Sequence, residues 1–223
     1  MSVRILKNNI NLTESIKRVL LLISRRIFKF SFPFNCMNLN YNAIILSGLP
    51  VSGKSTLARR LSEIYDWPVH SFGDLWREKW SGRYPNGEVT FEEFWRGTTI
   101  EENHQMNIEA VEMFKEGKGI IDTRYTLYFK DLPFLFAFIT APLDIRAKRA
   151  KDSGKYVGKS LSDIVSILKE REQDELTFGG KLLGEGYDYR DPKHYHLGIN
   201  SGNLTVEQEV SLVTGLVGLA TIS

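Results

Sequence analysis

Short unbroken apolar runs alternate along this chain with longer stretches in which apolar residues return every three or four positions. The runs predict strands at Ala43–Ser47, Pro68–Ser71, Gly119–Asp122, Phe134–Thr140 and His194–Ile199. The longer stretches predict helices at Lys54–Tyr65, Gly73–Trp80, Phe91–Arg96, Ile100–Lys115, Leu143–Ala150, Ser160–Glu175 and Val206–Leu219. In the first helix Leu57, Leu61 and Ile64 share a face. Strands that are apolar throughout and separated by helices mark an α/β protein with a doubly wound, mainly parallel five-stranded sheet. Turn-rich residues predict surface loops at Trp80–Val89 and Lys151–Lys159.

Charge divides the chain in two. Residues 1–36 hold seven basic residues and one acid, whereas the remaining 187 hold 22 basic and 26 acidic. The net charge of +2 is therefore a basic extension added to a mildly acidic body. A body of that balance does not coat nucleic acid, and none is expected as a partner. With 42% hydrophobic and 25% charged residues the whole chain is globular in composition, and residues 37–223 read as one domain. Leu12, Ile16, Val19, Ile23, Ile27 and Phe30 line one helical stripe among basic residues. Residues 10–30 thus have the profile of a surface-lying membrane helix or a targeting segment, and a plainer reading takes Met37 as the working start. The uncharged segment Val19–Ser24 is far short of the roughly 20 residues a membrane span requires. The lone Cys36 excludes an intrachain disulfide, which fits a reducing, cytoplasmic compartment.

The strongest chemical signal is Gly48-Leu49-Pro50-Val51-Ser52-Gly53-Lys54-Ser55, which satisfies G-x-x-x-x-G-K-[ST]. Glycines allow successive N–H groups to turn inward on phosphate oxygens, and the helix that follows presents its positive end. Lys54 can reach the β- and γ-phosphates, the Ser55 hydroxyl can ligate Mg²⁺, and Thr56 adds a polar group in the same turn. The motif sits after an apolar strand and opens an amphipathic helix, the context that nucleotide binding requires.

Six blocks carry a wider resemblance: residues 44–61, HSFGDLWR at 70–77, IIDTR at 120–124, FITAPLDIRAKRA at 138–150, KEREQDE at 169–175 and YHLGINSGNLTVEQEV at 195–210. In order and spacing they resemble the small nucleoside monophosphate kinases of the P-loop superfamily, and among them the archaeal-type cytidylate kinases. The resemblance implies the P-loop kinase fold with a mobile lid near residues 146–181. It further implies Mg²⁺-dependent transfer from ATP to CMP or dCMP by a monomer acting on small-molecule nucleotides. It assigns Gly48, Gly53, Lys54, Ser55 and Thr56 to the ATP phosphates, and Asp74, Arg77 and Arg124 to the acceptor. Arg146 and Arg149 would join Lys54 and Arg124 in neutralising the transferring group, with Lys155 and Lys159 adding to the field, and Asp122 would join Ser55 at the metal.

Read without the resemblance, Arg77 also suits a solvated helix face, and Asp122 suits a cap on the next loop. Arg146 and Arg149, three apart, share a face and also suit ion pairs with Asp144 and Asp152. Three positions depart from the family pattern: Val51 replaces a common glycine, Leu176-Thr177-Phe178 lacks arginines, and the last strand ends Ile199-Asn200-Ser201 without an aspartate. The altered acceptor side leaves room for a P-loop kinase acting on a sugar acid, shikimate or adenylylsulfate, and for a nucleotide-binding module without transfer activity. Trp67, Trp76, Trp80 and Trp95 make that side aromatic, as core or as lining. The His194/His196 pair has weak metal-ligand spacing and reads as packing or surface.

Overall fold

The computed structural model describes residues 41–115 and 117–220; the basic extension read over 1–36 and the membrane contact suggested over 10–30 lie outside them. Five parallel strands run in the order β2-β3-β1-β4-β5, where β1 is Ala43–Gly48, β2 Val69–Ser71, β3 Gly119–Asp122, β4 Phe134–Thr140 and β5 Leu197–Asn200. In the central strand Ile44 is in register with both Ile120 and Leu135. Its side chains alternate between two cores, as strand geometry demands. Ala43 and Ile45 join Phe72, Trp76, Phe94, Met106 and Phe114 on one face, while Ile44 and Leu46 join Leu57, Leu61, Val213 and Val217 on the other.

The helices are α1 Lys54–Tyr65, α2 Phe72–Arg83, α3 Phe91–Arg96, α4 Ile100–Phe114, α5 Leu143–Asp152, α6 Leu161–Leu183 and α7 Val206–Ala220. Helices α1 and α7 cover one side of the sheet, and α2 to α4 cover the other. Capping boxes start α3 at Thr90 with Glu93, α4 at Thr99 with Glu102 and α6 at Ser160 with Asp163.

Three boundaries differ from the sequence reading by three residues or more: helix α2 runs on to Arg83, into the segment read as the loop Trp80–Val89, and α6 and β5 shift as well. Helix α6 continues eight residues past the expected end at Glu175. Phe178 packs on Trp95 and Tyr125 at ring separations of 5.4 and 6.2 Å, and at Gly179 a Cβ would stand 3.2 Å from the Tyr187 ring. Packing therefore overrides the weak helix propensity of Gly179 and Gly180. Strand β5 starts at Leu197 rather than His194, because Asp191 caps a 3₁₀ turn with Pro192 at its first position. His196 still extends the ladder: its N–H donates to the Phe136 carbonyl at 2.9 Å, and its Nδ1 accepts from the Phe136 N–H at 3.1 Å.

Residues 146–181, read as the lid, fold as most of α5, a turn with Gly154 and Gly158 at φ 69 and 74, and most of α6. Ala147 and Ala150 of α5 pack on Ile164 and Leu168 of α6 as a third, small core. Among the described residues no helix is long and apolar enough to cross a membrane.

Candidate active site

The turn from β1 into α1 holds three residues at positive φ: Gly48 at 143, Val51 at 60 and Gly53 at 101. A Cβ on Gly48 would lie 1.9 Å from the Ile139 carbonyl oxygen, so only glycine lets the loop pass β4. Left-handed backbone costs a residue such as Val51 about 1–2 kcal/mol. Its side chain packs against the small α5–α6 core, a contact that a glycine, free of the strain, would lack.

Lys54 lies under this loop, 6% exposed, and its Nζ donates to the Gly48 and Leu49 carbonyls at 3.1 and 3.0 Å. Burial lowers its pKa from 10.5 to about 8, although Asp122 and Glu175 pull it upward. A cation kept at a cost beneath a helix N-terminus fits an anionic group in the loop. Beside it the Ser55 hydroxyl donates to Asp122 Oδ2 at 3.5 Å, across from α1 to the end of β3. Two hard oxygens so placed fit Mg²⁺, which retains several waters and takes one or two protein ligands. Thr56 lies in the first turn, its N–H bonded to the Gly53 carbonyl at 3.0 Å. Among the described residues no three His, Cys, Asp or Glu side chains gather to hold a metal, so the histidine pair builds no such site.

Arg146 and Arg149 share a face, and in this structure that face meets the loop and the turn after β5. Arg146 is 3% exposed; it donates to the Ala141 and Pro50 carbonyls at 2.9 and 3.2 Å and pairs with Glu172 of α6 at 2.7 Å. Arg149 donates to Ser201 Oγ and to the Ser201 carbonyl, both at 2.8 Å, and to the Ser52 carbonyl at 3.4 Å. Neither pairs with Asp144 or Asp152 in the structure. Their guanidiniums are occupied by carbonyls of the loop and of the turn after β5, so they brace the loop. Ser201 joins that brace, its Oγ donating to the Ser52 carbonyl at 2.6 Å. In the turn that follows β5, which ends without an aspartate, Ser201 thus serves the loop's backbone.

Past the end of β3 lies a cavity of about 520 Å³ walled by α2, α3, α4 and α6. Arg77, Arg96, Arg124, Arg171 and Lys155 reach it, together with aromatic residues including Trp76, Trp95 and Tyr125. Lys159 and Lys181 do not line it. Asp74 stands at the head of α2, whose N-cap Ser71 accepts from the Asp74 N–H at 3.2 Å, and its carboxylate pairs with Arg77. Arg96 bridges from α3 to α6 through Glu170 and Asp174 at 2.6 and 2.8 Å. Of the other tryptophans, Trp80 donates to the Val89 carbonyl at 2.8 Å, and Trp67 stacks on Tyr65 away from the cavity.

The charged centre of the cavity is Glu175, 3% exposed, to which sequence reasoning assigned no role. Its carboxylate meets Arg124 at 2.6 Å, Arg171 at 3.1 Å and the Tyr189 hydroxyl, which donates at 3.2 Å. Burial alone would raise its pKa, but Arg124 and Arg171 hold it below the ordinary carboxylate value. For Arg124 burial opposes the charge, and Glu175 and Asp122 more than compensate. The signal was present in the spacing, since Arg171 and Glu175 are an i, i+4 pair on the buried stripe of α6. Leu176-Thr177-Phe178 brings no cation to the cavity, which Arg171 and Lys155 reach, and Phe178 fills an aromatic cluster instead.

Comparison with known proteins agrees with this geometry. The AAA-domain family profile matches residues 44–176. A cytidylate kinase of Pyrobaculum aerophilum is 28% identical over 170 residues, spanning 76% of this chain and 89% of the relative. One from Methanopyrus kandleri is 27% identical over 188 residues, spanning 78% and 92%. Among solved structures, a shikimate kinase from Acinetobacter baumannii in complex with shikimate superposes with a TM-score of 0.53 at 12% identity, over 82% of this chain and 96% of that one. An uncharacterized protein from Eubacterium ventriosum gives 0.59 at 16% identity, over 79% and 98%. The solved structures carry the fold, a P-loop kinase sheet, and nothing about the acceptor.

Proposed function

This chain belongs to the AAA-domain family, and from that premise we propose that it is a Mg-ATP-dependent kinase whose acceptor is a nucleoside monophosphate, CMP or dCMP before others. The observation that carries the reading is the meeting of two sites at the ends of β1 and β3. One is a phosphate loop with a buried lysine and a Ser55–Asp122 pair; the other is a cavity bearing Arg77, Arg124 and Arg171. The cytidylate kinases among its relatives support the choice of acceptor.

In this reading the loop from Gly48 to Gly53, with Lys54 and Thr56, holds the ATP phosphates, and Ser55 and Asp122 hold Mg²⁺. Bound Mg²⁺ supplies charge neutralisation between the phosphates. Arg124 and Arg171, fixed in place by Glu175, present N–H groups to the acceptor phosphate with little left to reorganise. Arg77 supplies a further cation from α2. Arg146 and Arg149 act as positioning residues that set the loop. Transfer is direct: the acceptor phosphate oxygen attacks the γ-phosphorus and ADP leaves, with no covalent enzyme intermediate.

The full chain is to be incubated with Mg-ATP and CMP, dCMP, UMP, AMP, GMP, shikimate or gluconate, following ADP and the phosphorylated product. CMP or dCMP is expected to give the highest kcat/KM. Turnover confined to shikimate or gluconate replaces the nucleotide reading with the sugar-acid or shikimate one, and ATP binding without acceptor-stimulated ADP release reduces the protein to a binding module.

Lys54 adds a dependence on pH. Its free-state value of about 8 lies below its ordinary 10.5, and a bound polyphosphate raises it again. Below pH 8 the lysine already carries its proton, so its contribution to binding is flat. Above pH 8 each binding event takes up a proton, and affinity falls as pH rises. Calorimetry with metal-free ATP at pH 7 and pH 9, in two buffers of different ionisation enthalpy, measures both the affinity and the uptake. Equal affinity with no proton uptake at pH 9 contradicts the expectation.

A further inference from the structure

Two amides of α4 lie on its buried stripe and reach the cavity wall. Asn107 is 1% exposed, and its Nδ2 donates to the Asn103 carbonyl at 2.7 Å. A carbonyl only accepts, so the amide orientation is determined: nitrogen toward the helix backbone, oxygen away from it. Asn107 Oδ1 has no hydrogen-bond partner among the described residues. One turn earlier Asn103, 2% exposed, spends its Nδ2 on Thr98 Oγ1 at 3.0 Å and on the Thr99 carbonyl at 2.9 Å. Both amides thus turn their donors into the protein, and Asn107 keeps its oxygen in reserve. The arginines of the cavity, by contrast, offer only donors. Among the acceptors that line the cavity, the carboxylates of Glu170, Asp174 and Glu175 already answer arginines, whereas Asn107 Oδ1 answers no donor.

We propose that Asn103 and Asn107 form an acceptor-only patch that selects the acceptor's base by its exocyclic amino group, Asn107 Oδ1 taking the hydrogen bond. The inference rests on reading the cavity as a nucleoside monophosphate site. Cytosine presents an amino group with two N–H donors at one corner of its ring. Uracil has a carbonyl at that corner, and its single N3–H donor is flanked by carbonyls on both sides. An amide oxygen placed to meet the cytosine amino group therefore meets a uracil oxygen and repels it, so discrimination arises from an unfavourable pairing as much as from a favourable one. A buried oxygen left unpaired without the right substrate is the arrangement that makes hydrogen-bond selection sharp.

The test compares kcat/KM for CMP, UMP and the CMP analogue whose pyrimidin-2-one base lacks the 4-amino group, with the full-length protein and Mg-ATP. Wild type is expected to favour CMP over both others by about 10- to 100-fold. In Asn107→Leu, which matches the amide in size and removes its oxygen, the loss is expected to fall on CMP. The three substrates should then agree within about threefold while the KM for ATP stays within about twofold. Wild-type transfer to CMP and to the pyrimidin-2-one analogue at equal efficiency overturns the proposal even if the leucine variant fails to fold. An unchanged CMP preference in a folded Asn107→Leu protein overturns it as well. Wild type that phosphorylates no pyrimidine monophosphate instead overturns the reading of the cavity on which the proposal stands.

Discussion

Lys54→Ala is expected to reduce phosphoryl transfer by about 1,000-fold or more, with the fold intact. The ammonium lies beneath the loop, held by the Gly48 and Leu49 carbonyls, where an ATP phosphate would meet it. Removing it deletes charge stabilisation that grows as the phosphoryl group leaves, which is why the loss belongs in kcat. Stability should change little, because the lysine's burial is itself unfavourable and its removal relieves that penalty while two carbonyls lose a donor. Steady-state kinetics with CMP as acceptor, alongside a thermal melt, measures both quantities. Retention of more than a few per cent of wild-type kcat denies the lysine its assigned role, and a collapsed melt would mean the lysine is structural.

Glu175→Gln is expected to show the opposite pattern, with a large loss of stability. One carboxylate, 3% exposed, balances Arg124 and Arg171 and accepts from Tyr189. Glutamine keeps the shape but leaves two guanidiniums facing each other with only the more distant Asp122 to balance Arg124, and breaking a buried pair in this way costs about 3 kcal/mol. In a domain of this size that corresponds to a fall in melting temperature of roughly 6–12 °C. Adding Arg171→Met to Glu175→Gln should restore part of the loss, since it removes one of the stranded charges; an additive further loss would show that repulsion is not the cause. A Glu175→Gln melt within about 2 °C of wild type would show that the cluster is screened by solvent.

Much of the molecule was legible from local pattern. The P-loop follows from its glycines and from the strand and helix around it, because turn geometry and helix ends are short-range properties. The five strands and seven helices likewise announce themselves through runs and periods. Missed features were those whose meaning depends on what arrives from elsewhere in the chain. Helix α6 runs past the expected end at Glu175, and only the Tyr187 ring lying against Gly179 shows how a glycine is accommodated there. Arg146 and Arg149 were recognised as a pair on one face, but the carbonyls they meet come from Pro50, Ser52 and Ser201. Asn103 and Asn107 sit at helical spacing with Met106, Ala110 and Phe114, so two amides on an apolar stripe were a visible anomaly. The consequence, an oxygen without a donor in the wall of a cavity, needs the packed helix.

Sequence alone was enough for the loop that would hold phosphate and for the parallel sheet that carries it, since both are written in neighbouring residues. Folding was needed to bring Glu175 between Arg124 and Arg171, to turn two arginines onto the loop's backbone, and to leave an acceptor bare at Asn107. Charge pairing and hydrogen-bond satisfaction are settled by three-dimensional proximity, and proximity across more than fifty residues leaves no mark on the residues in between.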